Sequence, residues 1–413
     1  MKALGVVVEY NPFHNGHLYH LQQSVKETDA DAVVAVMSGN FLQRGEPALV
    51  SKWTRTKMAL LGGVDVVVEL PYAFATQKAE IFASGAVSLL ESLKCDSLCF
   101  GSELGEIEPF LHTYEHIQNH LDSYNKLIKE NMKLGVSYPK ASSLAFQEIA
   151  TNQQVIDLSL PNNILGFHYV KAMIVQKTMM KPATIKRTAA GYHDQSFSSA
   201  TIASATSIRK ALFSNDEQSL TKNFVPETTW SCLDDYNRTN TILHNWEHYF
   251  QLLKYKIVTM SKQQLLEIYE MEEGLENRVA TSIQNATSFQ EFMEKLKTKR
   301  YTWTRLQRLC THLLTNTTKQ QMKSVETDVK APYIRLLGMS QKGQHYLNTV
   351  KKDLDVPLIA KLSSLENHLL DLDIKAAQTY QMVFTEPLRS KLLQKEYATP
   401  PLRFNEMDGS FSE

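Results

Sequence analysis

Hydrophobic and polar positions fall in long alternating blocks over the first hundred residues. The apolar runs LGVVVEY (4–10), DAVVAVMSG (31–39), VDVVVELPY (64–72) and CDSLCFGSE (95–103) are continuous, not period-two. Between them, GHLYHLQQSVKE (16–27), SKWTRTKMALLGG (51–63) and QKAEIFASGAVSLLESL (77–93) carry helical spacing. Ser51 reads as an N-cap and Gly62-Gly63 as a stop. Continuous apolar strands separated by helices predict a parallel sheet covered on both faces, an α/β doubly wound fold. Such sheets bind ligands outside the carboxyl ends of their strands. The loops to inspect are therefore EYNPFHNGH, MSGNFLQRGEP, ELPYAFATQ and FGSELGE.

From about 107 to 176 the pattern is mostly helical, ending in SLPNNILGFHYVKAMIVQ (159–176). MKPATIKR (180–187) predicts a fifth strand, and TIASATSIRKALF (201–213) a helix that opens with small hydroxyl residues. After about 225 the segments TILHNWEHYFQLLKYKIV, SKQQLLEIYEM, SFQEFMEKLK and TWTRLQRLCTHLL read as successive amphipathic helices. The expectation is a catalytic domain over 1–225 and a mainly helical domain over 226–413. The tail after about 394, with Pro400-Pro401 and Gly409-Ser410, is expected to be irregular.

Composition narrows the class without choosing a ligand. A chain of 413 residues implies two or three domains. Lys+Arg and Asp+Glu both number 44, so only local patches bear on nucleic acid. Cys95, Cys99, Cys232 and Cys310 show no CxxC and no paired spacing, which fits a reducing cytoplasm without a zinc site or disulfide frame. No apolar run approaches the length of a membrane span, and the N-terminal run is broken by Glu9 and Asn11-Pro12, so it reads as a strand and not as a signal.

The chemistry begins at HNGH. A strand that turns into a helix near Gly16 presents backbone N–H groups to an anion, and Gly16 permits close approach. His14 and His17 can donate ring N–H bonds to phosphoryl oxygens and stabilise charge that grows during attack at the α-phosphorus. A lone HxGH tetrapeptide is usually chance. Here it follows an apolar strand, opens a helix and precedes a parallel-sheet pattern. In this setting the chain resembles the HxGH nucleotidyltransferase superfamily. A second signature of that superfamily, near I-S-S-T-x-I-R, is matched by SATSIR at Ser204–Arg209, with Ala205 where a hydroxyl residue often stands. By itself a Ser/Thr-rich helix start is more often a plain N-cap.

Longer blocks narrow the resemblance. EYNPFHNGHLYH, MSGNFLQRGEPALVSKWTRTKMAL, ELPYAFATQKAEIFASGAV, FGSE, LPNNILGFHY, IKR and KTKRYTWTRLQR, in that order along the chain, resemble the tRNA(Met) cytidine acetate ligase family. The resemblance implies that ATP and acetate form acetyl-adenylate, and that the acetyl group passes to N4 of the wobble cytidine of elongator tRNA(Met). It implies ATP as co-substrate, with Mg²⁺ from the phosphoryl chemistry, and no membrane or protein partner. It places ATP on Val7, Val8, Glu9, Tyr10, Asn11, Pro12, Phe13, His14, Asn15, Gly16, His17, Leu18, Tyr19 and His20, with Gly101, Asn162 and Arg187. Thr188, Ser204, Thr206, Ser207 and Arg209 add candidate phosphate contacts. His14, His17, Gln43 and Arg44 are the catalytic candidates. Gln43 and Arg44 suit an acetate or cytosine pocket, because Arg pairs with carboxylates in a bidentate fork. No dedicated carboxylate cage for a metal is visible.

For RNA, the stretch 295–323 holds eight Lys and Arg and no Asp or Glu. Lys297, Lys299, Arg300, Arg305 and Arg308 are candidates for the phosphate backbone, and Tyr301 for stacking. Trp303 is expected in the core. Lys52, Arg55 and Lys57 read as a solvated helix face, from which Lys52 and Arg55 are taken as further RNA-backbone candidates. Two other classes compete: an HxGH enzyme adenylylating a small phosphorylated metabolite, and an RNA-binding module with a degenerate ATP site.

Overall fold

The computed structural model describes residues 1–150, 155–187, 202–214 and 218–412. Nine strands form one sheet: β1 (Ala3–Val8), β2 (Ala32–Ser38), β3 (Val66–Leu70), β4 (Ser97–Ser102), β5 (Lys181–Lys186), β6 (Ile334–Ser340), β7 (Leu358–Ile359), β8 (Leu402–Asn405) and β9 (Ser410–Ser412). The order is β5-β4-β1-β2-β3-β6-β8-β9, with β7 pairing β6. The pairs among β1 to β5 are all parallel. Alternate residues of β2 serve opposite cores. Val34 and Val36 pack with the helices Ala79–Ser92 and Pro161–Gln176, while Val33, Ala35 and Met37 pack with Asn15–Thr28 and Lys52–Leu61. This two-sided burial is why those strands read as unbroken apolar runs.

Ser51 caps its helix by accepting from the Thr54 N–H, and Gly62 ends it. Every element expected in the first hundred residues is present within a few residues of its expected ends. The later chain departs from expectation. Residues 226–413 are mainly helical, but they also return to the sheet: β6 lies antiparallel to β3, and β8 lies parallel to β6. The sheet therefore runs across the expected boundary at 225. The tail is not irregular either. It forms the helix Leu388–Ala398 and the hairpin of β8 and β9. Pro400 and Pro401 precede β8, where proline is tolerated, and Gly409 with φ 69° serves the turn.

Strand order reverses direction between β4 and β1, which opens a crevice at their carboxyl ends. No helix of the described residues is long and apolar enough to cross a membrane.

Candidate active site

A cavity of about 420 Å³ occupies this crevice. The loop leaving β1 turns at Tyr10, with φ 47°, passes the cis Asn11–Pro12 bond and enters the helix Asn15–Thr28. His14 is the N-cap. Its Nδ1 accepts from the Gly16 N–H at 3.0 Å, while its own N–H donates to His17 Nδ1 at 3.3 Å. The two imidazoles stack at 3.7 Å between centroids. Because Nδ1 of His14 accepts, the neutral ring carries its proton on Nε2 and can donate it to an anion.

Burial lowers the His14 pKa to about 3, with Arg187 and Arg209 adding to the effect. Burial likewise holds His17 well below its usual value and His20 down to about 4. All three rings are therefore neutral at pH 7. Arg209 donates to the Asn11 carbonyl at 2.9 Å and pairs with Glu46 at 2.9 Å, which holds its guanidinium at the cavity wall. Arg187 is exposed, and its chain lies against Gly101, where an added Cβ would meet Arg187 Cγ at 3.3 Å. Ser204 caps the helix Ala205–Leu212 by accepting from the Ser207 N–H. Val7, Val8, Glu9, Tyr10, Asn11, Gly16, Tyr19, His20, Gly101, Asn162 and Thr206 also line the cavity.

Five of the expected contacts lie outside its wall. Phe13 is wholly buried in the core beneath Gly62, and Leu18 packs beside it. Pro12 is part of the turn. Asn15 donates to the Phe224 and Asn223 carbonyls. Ser207 is buried and donates its hydroxyl to the Ser204 carbonyl. Thr188 lies outside the described residues.

Gln43 and Arg44 both face the cavity. The Gln43 N–H donates to Glu9 Oε1 at 2.8 Å, and its side chain donates to the Gln77 carbonyl. Burial raises the Glu9 pKa, with the Gln43 N–H acting against it. The loop 39–49 is held from behind by the C-terminal helices. Gln307 Nε2 donates to the Arg44 carbonyl, Thr311 Oγ1 and Trp246 Nε1 to that of Gly45, and Tyr380 OH to that of Ala48. Gly45 has φ 76° and touches the backbone of helix Trp303–Thr315, where a Cβ would meet Arg308 N at 2.5 Å. These anchors are not visible in the sequence, and Ala79, Phe82, Leu165 and Tyr169 line the wall although small, aliphatic and aromatic positions on helices read as core; Glu46 lies in the loop MSGNFLQRGEP but is not among the candidates the sequence singles out. Cys99 also lines the cavity, but burial pushes its thiol up to about 11, so it stays protonated and is a poor nucleophile.

The RNA candidates divide. Lys52 and Arg55 are not on a solvated face: both side chains are buried. Lys52 pairs with Glu69 at 2.8 Å and Glu396 at 2.7 Å, and Arg335 completes that cluster. Arg55 donates to the carbonyls of Glu9, Ser38, Gly39 and Val50. Neither presents charge to a nucleic acid. In the 297–308 stretch, acids arrive from elsewhere in the chain. Arg305 pairs with Glu272 at 2.6 Å and Arg308 with Glu270 at 2.9 Å, and Tyr301 is buried with its hydroxyl on Glu272. Lys297, Lys299 and Arg300 are exposed. Trp303 is half-buried against the core.

The HIGH Nucleotidyl Transferase family profile matches residues 1–395. The tRNA(Met) cytidine acetate ligase of Bacillus licheniformis is 54% identical over 408 residues, covering 98% of each chain. That of Bacillus subtilis is 52% identical over 413 residues, covering 100% of this chain and 99% of its own. This chain belongs to the tRNA(Met) cytidine acetate ligase family. The fold agrees. The crystal structure of Thermotoga maritima TmcAL bound with alpha-thio ATP superposes with TM-score 0.87 at 32% identity, covering 98% of this chain and 100% of that one. Its apo form gives TM-score 0.89. The HNGH loop and loop 39–49 line the same cavity.

Proposed function

We propose that this chain activates acetate with ATP and transfers the acetyl group to N4 of the wobble cytidine of elongator tRNA(Met). The observation that carries the proposal is the pair of stacked imidazoles beside Arg187 and Arg209, in a cavity whose other wall is loop 39–49. Acetate attacks the α-phosphorus, the bond to the bridging oxygen breaks, and pyrophosphate leaves. His14 and His17 donate to the phosphoryl oxygens, and Arg187 and Arg209 offset the charge of the departing group. Gln43 and Arg44 face the side from which a carboxylate enters. The exocyclic amine of cytosine is conjugated and weakly nucleophilic, so it requires the mixed anhydride. It attacks the acetyl carbon, AMP departs, and N4-acetylcytidine results. A mixed anhydride hydrolyses easily, so the reaction requires that the occupied cavity exclude water.

Among the described residues no group of three or more His, Cys, Asp or Glu could hold a metal ion. The cavity carboxylates are already engaged, Glu9 by the Gln43 N–H and Glu46 by Arg209. Mg²⁺ would be held by the phosphates of ATP and would offset part of their charge. Exposed Lys297, Lys299 and Arg300 sit just before the helix whose Gln307 and Thr311 reach loop 39–49, which supports an RNA path from that surface to the cavity. The anticodon loop is single-stranded, so extruding the base is inexpensive.

The test is turnover of ATP and radiolabelled acetate with in vitro transcribed elongator tRNA(Met). Label in cytidine, with AMP and pyrophosphate released and no acetyl-CoA present, is expected. Pyrophosphate release that depends on a phosphorylated metabolite and not on acetate would return the chain to the ordinary nucleotidyltransferases.

A further inference from the structure

Acetylation of an amine needs a proton acceptor, because the NH₂ group loses one hydrogen when it becomes an amide. Among the described residues the cavity wall holds two carboxylates, Glu9 and Glu46, and three imidazoles, His14, His17 and His20. The imidazoles are poor acceptors. His14 Nδ1 already accepts from the Gly16 N–H, and His17 Nδ1 from the His14 N–H. His20 Nε2 lies 3.5 Å from Ser24 Oγ. A base works best with a pKa near the operating pH, and burial holds all three rings well below it. The phenols of Tyr10 and Tyr169 and the thiol of Cys99 are pushed up by burial and stay protonated. Glu46 pairs with Arg209 at 2.9 Å and serves that guanidinium.

Glu9 differs from all of these. It directly follows β1, the middle strand of the parallel set β5-β4-β1-β2-β3. The Gln43 N–H holds one carboxylate oxygen, Oε1, at 2.8 Å, which ties the group to loop 39–49. The Glu9 carbonyl accepts from buried Arg55 at 2.8 Å, so the backbone is fixed as well. The second carboxylate oxygen, Oε2, has no hydrogen-bond partner among the described residues. Arg44 and Arg209 favour the ionised form, while burial, the largest influence, and Glu46 oppose it. The sum raises the pKa from the usual carboxylate value, toward the range in which a general base is effective. A carboxylate also accepts from the amine of cytosine, whereas uracil has a carbonyl at that position and offers it no hydrogen.

We infer that Glu9 is the general base of acetyl transfer, with Oε2 accepting a proton from N4 of the target cytosine. The N4 lone pair forms the bond to the acetyl carbon. The bond from that carbon to the phosphate oxygen breaks, and its electron pair leaves with AMP. The N4 proton passes to Glu9, which returns it to water after AMP departs. The preceding step needs no base, because acetate is already ionised when it attacks ATP. The inference deepens the ligase proposal and rests on it.

The experiment compares the full chain, wild type, E9Q and E9D, in two assays. Acetate-dependent ATP–pyrophosphate exchange reads the first step. Rapid-quench transfer of label from preformed, enzyme-bound acetyl-adenylate to elongator tRNA(Met) reads the second. E9Q keeps an acceptor for the Gln43 N–H but removes the base. Its transfer rate should fall at least about a hundredfold further than its exchange rate. E9D keeps a carboxylate on an arm one methylene shorter and should recover part of that difference. Circular dichroism compares the folds; if E9Q does not fold, E9D decides alone, and its transfer must fall further than its exchange. Equal losses in the two assays would assign Glu9 to ATP or acetate binding and overturn the inference. Transfer by E9Q at the wild-type rate would also overturn it and give the proton to the phosphate of the adenylate. Failure of the ligase proposal looks different: a wild type that labels no cytidine refutes that reading, and this inference with it.

Discussion

At the scale of single residues, Arg55 is a fully buried cation outside the cavity. It donates to carbonyls at the ends of β1 and β2, where parallel strands turn their last C=O groups toward the site. Its charge is spread over backbone dipoles with no carboxylate in contact, and burial lowers its pKa to about 10. Replacement by Met would leave several buried acceptors without donors, at about 3 kcal/mol or more. Arg55→Met should lower the urea unfolding midpoint accordingly and leave the salt dependence of tRNA binding as it was. A changed salt slope with unchanged stability would restore the RNA role that its burial removes. The sequence could not reveal this burial, because WTRTKMALL spaces its charges as a solvated helix does. What buries Lys52 and Arg55 comes from Glu69, Glu396 and the carbonyls of other strands. By contrast His14, Gly16 and His17 were legible, because a short loop between a strand and a helix fixes their relations locally.

At the scale of elements, the loop 39–49 and the helix Trp303–Thr315 behave as one unit. Thr311 and Gln307 hold the Gly45 and Arg44 carbonyls, and the same loop carries Glu46, which steadies Arg209. Misplacement of catalytic groups by about 1 Å costs up to about a hundredfold in rate. A Thr311→Val, Gln307→Leu double variant should slow acetate-dependent ATP–pyrophosphate exchange by about tenfold or more, while losing only about 1 kcal/mol of stability per hydrogen bond. Exchange at the wild-type rate would show that the loop keeps its place unaided. Strands and helices before residue 100 were read correctly from periodicity alone. The pairing of β6 with β3 was not, because β-pairing across more than 250 residues leaves no local signal and YIRLLGMS also suits a buried helix.

At the scale of the molecule, buried imidazoles set the response to acid. His14 and His312 are lowered to about 3, His20 and His168 to about 4, and His17 and His244 well below their usual value, in each case chiefly by burial. Unfolded, each titrates near 6.5. Below that pH the unfolded chain binds protons that the folded chain does not, so stability falls as pH drops from about 6.5 toward 4. Glu9, Asp65 and Asp373, the last held up to about 7, act in the opposite sense, but they are three against six. Urea titrations at pH 7.5, 6.5 and 5.5 should show a steep loss over the lowest interval, and a flat profile would contradict the buried neutral histidines. The same architecture governs the order in which the chain can be completed. β6, β8 and the donors to loop 39–49 all come from the last half of the chain. During synthesis, β3 waits as an open edge while more than 250 residues are added, and loop 39–49 has only its N-terminal anchors until Trp246, Gln307, Thr311 and Tyr380 arrive. The nascent N-terminal half is thus a partly built sheet exposed to aggregation, and a ribosome that stalls before β8 releases an inactive product. Any organism that makes this protein depends on finishing it.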